Sequence, residues 1–258
     1  MSLSLSVFLP CYNEQDCLEE VVNDALAAAA TVSDDFEVIV VDDGSTDRTG
    51  ELADHLAEQH PAVRAVHNRP NQGYGGALKA GFAAADKEWV FYSDGDGQFD
   101  LAEIARLPAM LGSCDVVSGV RVDRQDPLRR RLAGWGWNRL IRLTLGLKLD
   151  DVDCGFKIYP RRLFDEIAER APLRSRGAMI DAEVLAKARR LGYRIGQLPV
   201  RHLPRRSGQA TGGNWRVIAC GLAELARLFW HLRLGRWADR TTETPADGLP
   251  ASGRQPTR

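Results

Sequence analysis

The sequence predicts an α/β fold, and three observations carry that prediction. Short apolar runs of strand length alternate with longer stretches of helical periodicity. Three of those runs end in polar clusters, at Tyr12-Asn13-Glu14, Asp42-Asp43-Gly44 and Asp94-Gly95-Asp96. A chain of 258 residues, 44% hydrophobic, can also bury a sizeable core as one domain with an appendage.

Taken in order, Leu5-Ser-Val-Phe-Leu-Pro10 reads as a strand running into a polar turn, and the spacing beyond it predicts a helix over Gln15 to Ala30. Glu37-Val-Ile-Val-Val41 is a second strand, and Asp42 to Asp47 supply the turn and capping residues that open the next helix. Val63-Arg-Ala-Val-His67 is a third, followed by Asn71-Gln-Gly73-Tyr-Gly75-Gly76. These glycines lack the Gly-x-Gly-x-x-Gly spacing, which favours close packing at a helix entrance over direct phosphate binding and lowers a dinucleotide reading. Trp89-Val-Phe-Tyr-Ser93 then delivers Asp94 and Asp96 to the carboxyl end of a strand. Ligands of open α/β sheets occupy the crevice outside such ends, so the three clusters are expected to converge. An isolated Asp-x-Asp is as readily a solvated turn; here the joint pattern favours a site for a hard divalent cation shared with substrate phosphates.

Composition limits the partners. A formal net charge of −1 gives no global attraction to nucleic acid or membrane, so such binding would need local patches. The five cysteines, at 11, 17, 114, 154 and 220, show no paired metal-ligand spacing and read as reduced thiols. Met1-Ser-Leu-Ser-Leu-Ser leads directly into a strand without signal-peptide features, and no run of about 18 apolar residues predicts a spanning helix. The stretch from Asp239 to Arg258, rich in Thr, Pro, Gly and charge, is expected to be disordered.

Together with the strand-end clusters, Val117-Ser-Gly-Val-Arg121, Asp151-Val-Asp153-Cys-Gly-Phe-Lys157-Ile-Tyr and Pro199-Val-Arg-His-Leu-Pro-Arg205-Arg-Ser-Gly208 resemble glycosyltransferase family 2, over roughly Leu5 to Thr211. Within it the chain is most similar to the dolichyl- or polyprenyl-phosphate mannosyl- and glucosyltransferase branch. That branch carries a serine and a lysine where this chain has Ala210 and Thr211, so one basic contact to the donor diphosphate is missing or replaced by Arg206. The resemblance implies the GT-A fold: a mixed, mostly parallel sheet flanked by helices, with the catalytic domain over 1–212. An amphipathic helical extension over 213–238 and the tail complete the expected organisation.

It also implies site residues. Pro10, Tyr12, Glu14, Val41 and Asp43 would line the nucleoside pocket; Asp94 and Asp96, with Gly95 between them and Gln98 as a neutral third ligand, would hold Mg²⁺ or Mn²⁺ against the diphosphate. Arg121 and Arg205 would add charge-assisted bonds to a diphosphate or an acceptor phosphate. Asp153 is the favoured acid near the acceptor; Asp151 and Asp181 remain candidates, although Asp181 and Glu183 also suit the first turn of a helix.

A phosphate acceptor is a dianion at neutral pH and needs cations more than a base. Arg129-Arg130-Arg131 through Trp135, Trp137, Arg139 and Arg142 offers basic, aromatic character, as does Trp215 through Trp237 with its single acid, Glu224. Such helices suit a membrane interface or a packed surface, whereas no nucleic-acid-binding motif accompanies them. The expected activity is transfer of a hexose from a GDP- or UDP-sugar to a polyprenyl phosphate. The expected location is the cytoplasmic membrane face, peripherally bound, with an integral-membrane partner or a second copy as further candidates. A hydroxyl acceptor, a non-catalytic nucleotide-sugar binder and a nucleotidyltransferase are the alternatives.

Overall fold

The computed structural model describes residues 2–122, 128–204 and 215–234, the backbone alone at 128–133, 215–219 and 234. Arg205, Arg206, Trp237 and the tail from Asp239 lie outside the described residues, as do the side chains of Arg129, Arg130, Arg131 and Trp215. The elements are β1 (Ser4–Cys11), α1 (Leu18–Ala30), β2 (Asp35–Asp42), α2 (Thr49–Gln59), β3 (Val63–His67), α3 (Tyr74–Ala84) and β4 (Trp89–Ser93). A 3₁₀ turn (Leu101–Arg106) leads to α4 (Leu107–Leu111), β5 (Val116–Val122), α5 (Leu128–Leu145), β6 (Phe156–Pro160), α6 (Arg162–Arg170), α7 (Met179–Arg190), β7 (Ile195–Arg201) and α8 (Trp215–Leu234).

The strands form one seven-stranded sheet in the order β3-β2-β1-β4-β6-β5-β7. It is parallel except at β6, which runs antiparallel to both β4 and β5. The crossovers reverse direction between β1 and β4, and the crevice at that switch point is where an α/β sheet places its ligand.

Burial explains why the strands read as continuous apolar runs, since helices cover both faces. Successive residues alternate between two cores: Leu5, Val7 and Leu9 point to the α1 side with Val38, Val40 and Phe91, while Phe8 points to the other with Ile39, Val41 and Tyr92. On the second side Phe8 stacks on Tyr92 at 5.3 Å, and the α3 residue Phe82 meets both rings edge-on. A Cβ at Gly81 would run into the Phe8 ring, so glycine there lets α3 lie flat on the sheet.

One expectation meets a physical correction. The first helix starts at Leu18 rather than Gln15, because the Glu14 and Gln15 amides donate to Thr49 Oγ1 (2.8 Å) and Asp47 Oδ2 (3.3 Å) in the neighbouring turn. The helix expected as an extension buries Leu225, Leu228 and Leu232 in the second core, against α7 and α5. Leu222 and Trp230 of the same helix remain exposed.

Leu228→Ala should therefore destabilise the whole domain by about 2–5 kcal/mol, with denaturation remaining a single transition. Chemical unfolding checks this; a change below about 0.5 kcal/mol would mean α8 is not docked in solution.

Candidate active site

A cavity of about 700 Å³ opens at the switch point. The end of β1 contributes Pro10 and the turn after it Tyr12 and Glu14, the residue after β2 is Asp43, and the loop after β4 contributes Asp94, Gly95 and Asp96. The start of α3 adds Gly73, Tyr74 and Ala77. Seven of the sequence-predicted residues thus share one cavity. Val41 does not line it: its side chain is fully buried in the core behind. Asp43 is held by its neighbours, Oδ1 accepting from Asn68 Nδ2 at 2.8 Å and the Gln72 amide at 3.0 Å.

Asp94 is the tightest point of the wall. Its amide donates to the Gly155 carbonyl at 3.2 Å, and its Oδ1 accepts the Tyr74 hydroxyl at 3.0 Å. A Cβ at position 155 would collide with the Asp94 carboxylate, which is why glycine follows Asp153-Cys154. Burial first, then repulsion from Asp96 and Asp181, push the Asp94 carboxyl up to about 7. Bringing a second negative charge beside such an acid is unfavourable unless a cation joins them, so the Asp94–Asp96 pair fits a hard divalent ion. Among the described residues no group of three or more His, Cys, Asp or Glu side chains forms a metal cage. Two protein carboxylates with the remaining positions left to phosphate and water is the arrangement Mg²⁺-type sites commonly use.

Gln98 is placed differently from its expected ligand role. Its side-chain amide donates to the Leu203 carbonyl at 3.2 Å, and its backbone carbonyl accepts the Leu203 amide at 2.7 Å. The Gln98–Phe99 segment thereby pairs with His202–Leu203, and Gln98 does not line the cavity.

The three candidate acids sit behind this wall in different states. Asp151 accepts two bonds from Arg121, Nε to Oδ2 and Nη2 to Oδ1, each 2.7 Å, so these two opposite charges face one another. Asp181 is nearly fully buried: its Oδ1 accepts Lys157 Nζ at 2.8 Å and the Tyr92 hydroxyl, while Lys157 also donates to Tyr92 (3.0 Å) and to the Cys154 carbonyl. Lys157 is wholly buried, making Asp181 its counterion. Asp153 is only partly buried, yet its Oδ1 is enclosed without a hydrogen-bond partner among the described residues. Burial, then Asp181, raise its carboxyl to about 7. That proton affinity is suited to general-base work near neutral pH.

The model of the family described as "Glycosyl transferase family 2" matches residues 6–168. The chain belongs to glycosyl transferase family 2. Among curated proteins it is 32% identical over 238 residues to glycosyltransferase AglD of Haloferax volcanii, covering 89% of this chain and 38% of that protein. It is 34% identical over 217 residues to undecaprenyl-phosphate 4-deoxy-4-formamido-L-arabinose transferase of Edwardsiella ictaluri, covering 83% of this chain and 64% of the other. The chain thus spans less than two thirds of the length of these relatives. Glucosyl-3-phosphoglycerate synthase of Mycobacterium tuberculosis, solved with Mn²⁺, UDP-glucose and phosphoglyceric acid, superposes with a TM-score of 0.63 at 24% identity, over 87% of this chain and 80% of that one. The likeness establishes the GT-A fold for this family 2 chain.

One feature of the family 2 site was not singled out from the sequence. Tyr74 reads as part of a glycine-rich helix entrance, and only the fold brings its hydroxyl to Asp94. The glycines around it pack: the Gly75 amide donates to the Arg176 carbonyl at 2.9 Å, and a Cβ there would approach that carbonyl to 2.7 Å.

Beside the cavity, His67 bridges two acids, Nδ1 to Asp42 at 3.0 Å and Nε2 to Asp54 at 2.9 Å. Both partners only accept, so both bonds require the imidazolium. Burial lowers the His67 pKa, but the bonds to Asp42 and Asp54 outweigh it and the net shift is upward. Stability from this bridge is therefore full below the unfolded value of about 6.5 and is lost as pH rises through the raised folded value. The stability advantage of the wild type over His67→Gln should be full below about pH 6.5 and shrink as the pH is raised beyond it in denaturation series; an advantage that grows with pH would contradict the bridge.

Proposed function

We propose that the chain transfers a hexose from a nucleoside diphosphate sugar to a polyprenyl phosphate at the cytoplasmic face of a membrane. The observation that carries the reading is the Asp94–Asp96 pair facing a cavity shared with Tyr12, Glu14 and Asp43. Tyr12, half exposed at the cavity mouth, offers an aromatic face to a base, and Glu14 and Asp43 offer acceptors for base or ribose N–H and O–H groups. The undecaprenyl-phosphate transferases among the relatives support the lipid acceptor.

In this reading an acceptor phosphate oxygen attacks the anomeric carbon as its bond to the donor diphosphate breaks, so the sugar inverts and a nucleoside diphosphate leaves. Asp94 and Asp96 would hold Mg²⁺ or Mn²⁺, which neutralises charge on the departing diphosphate. The chain's own residues orient the reactants: Tyr74 and Gly155 fix the Asp94 carboxylate, and the Arg121–Asp151 pair sets the charge near the acceptor side. A phosphate acceptor, largely dianionic above its second pKa of about 6, requires no proton removal, so Asp153 would act through position and charge. A second reading has one observation in its favour: the Asp153 carboxyl near 7 would suit abstraction of a proton from a hydroxyl acceptor.

Membrane contact is supported by exposed Trp135 and Leu143 on α5 and Leu222 and Trp230 on α8. Arg139 lies over the Trp135 ring at 5.9 Å and Arg233 over Phe229 at 5.0 Å, the mixture of aromatic and cation that suits a headgroup layer. Among the described residues no helix is long and apolar enough to cross a membrane.

Asp96→Asn should abolish transfer and metal-dependent nucleotide binding while the fold persists, in a panel of GDP- and UDP-sugars assayed with and without a short polyprenyl phosphate. Transfer to lipid phosphate with a flat rate between about pH 7 and 8 supports the main reading. A basic limb that disappears in Asp153→Asn supports the hydroxyl acceptor instead. An Asp96→Asn variant with wild-type turnover across Mn²⁺ concentrations would refute the metal assignment.

A further inference from the structure

We propose that Glu224 of α8 is a positioning residue for the donor cavity, acting through the backbone of Arg176; the inference rests on the donor-binding reading above. The loop between α6 and α7 carries the argument. Its first half is fixed from α7: the Ser175 amide donates to Glu183 Oε2 at 2.8 Å, and Lys187 Nζ donates to the carbonyls of Ala171 (2.8 Å) and Pro172 (3.1 Å). The Glu183 and Lys187 side chains are wholly buried, so this half is a rigid platform.

Its second half is clasped from two other helices. The Arg176 amide donates to Glu224 Oε1 at 3.2 Å, and the Arg176 carbonyl accepts the Gly75 amide at 2.9 Å in the first turn of α3. One residue therefore joins α8 to α3 through its N–H and its C=O. The approach is close on the α3 side, where a Cβ at Gly75 would lie 2.7 Å from the Arg176 carbonyl; on the α8 side a Cβ at Gly177 would make ordinary contact, 3.5 Å from Glu224 Oε2.

What α3 does with that support is visible one residue earlier. Tyr74 lines the cavity and donates to Asp94, and Gly73 and Ala77 complete that wall. The chain of contacts runs from Glu224 through Arg176 and Gly75 to Tyr74 and Asp94. Glu224 is also the single acid between Trp215 and Trp237, among Arg216, Arg227, Arg233 and Arg236. An inward-facing acid on a basic helix is well placed to hold a backbone N–H. The exposed Leu222 and Trp230 belong to the same helix, so α8 joins a candidate lipid-facing surface to the donor wall.

The test measures UDP and GDP affinity in the presence of Mn²⁺, together with kcat and KM for the donor, in Glu224→Ala, Glu224→Gln and Glu224→Asp. Loss of the clasp in Glu224→Ala should raise the diphosphate Kd and donor KM about five- to tenfold, with kcat within about twofold. Glu224→Gln keeps a carbonyl acceptor of the same reach and should stay within about twofold of wild type, while the shorter Glu224→Asp should fall between. A merely structural role would lower the thermal midpoint without this split and without rescue by glutamine. Should Glu224→Ala fail to fold, the aspartate and glutamine variants decide: weakened binding in the first with retention in the second supports the clasp. Unchanged binding in Glu224→Ala or Glu224→Asp, or glutamine as weak as alanine, overturns it. A wild type that binds neither diphosphate overturns the donor-binding reading beneath it, whereas a binding wild type with unaffected variants overturns the role of Glu224 alone.

Discussion

The contact between the Asp94 carboxylate and Gly155 is the constraint on which the rest of the site depends. β4 ends by presenting Asp94, and β6 begins just after Gly155, its antiparallel neighbour in the sheet. Because no side chain can stand at 155, the two strand ends close to backbone distance and the acid is pressed into the wall rather than left in solvent. Burial and the nearby acids raise its carboxyl to about 7, so the ionised form is held at a disadvantage that a bound cation would remove. The third side of the grip is Tyr74, which the sheet's crossover through α3 brings from 20 residues away.

Beneath this wall the buried Lys157–Asp181–Tyr92 cluster supports the turn that carries Asp153, Cys154 and Gly155. Lys157 donates to the Cys154 carbonyl, so the turn's shape depends on a buried ammonium and its counterion. Removing one partner of a buried pair typically costs about 3–5 kcal/mol, far more than an exposed pair contributes. That magnitude suits Asp181 to holding the site together; in the proposed reading Asp153, with an enclosed oxygen lacking a partner among the described residues, is the acid near the acceptor. Asp151 and Arg121 face one another and so balance charge beside it.

Much of this was legible in the residues. β3 spans the predicted Val63 to His67, and polar clusters separated by tens of residues do meet at one crevice, because parallel strands joined by helices must end on the same edge. The antiparallel insertion of β6 between β4 and β5 was not legible, since pairing order is decided by contacts far apart in sequence. The engagement of Gln98 with Leu203 depends on the same kind of contact, as does the meeting of Tyr74 with Asp94. Local composition described α8 as basic and amphipathic, and that is correct for its exposed side. It could not show that Leu225, Leu228 and Leu232 face the domain's own core.

The central claim is that the closeness of Asp94 to Gly155 builds a site where a divalent ion and a diphosphate bind together. Calorimetric titration of UDP and GDP with and without Mn²⁺, on wild type and Gly155→Ala, tests it most directly. The account predicts Mn²⁺-dependent binding of a diphosphate by wild type and at least about a tenfold loss, some 1.4 kcal/mol, in a folded Gly155→Ala. Equal Mn²⁺-dependent affinity in the two proteins would contradict it.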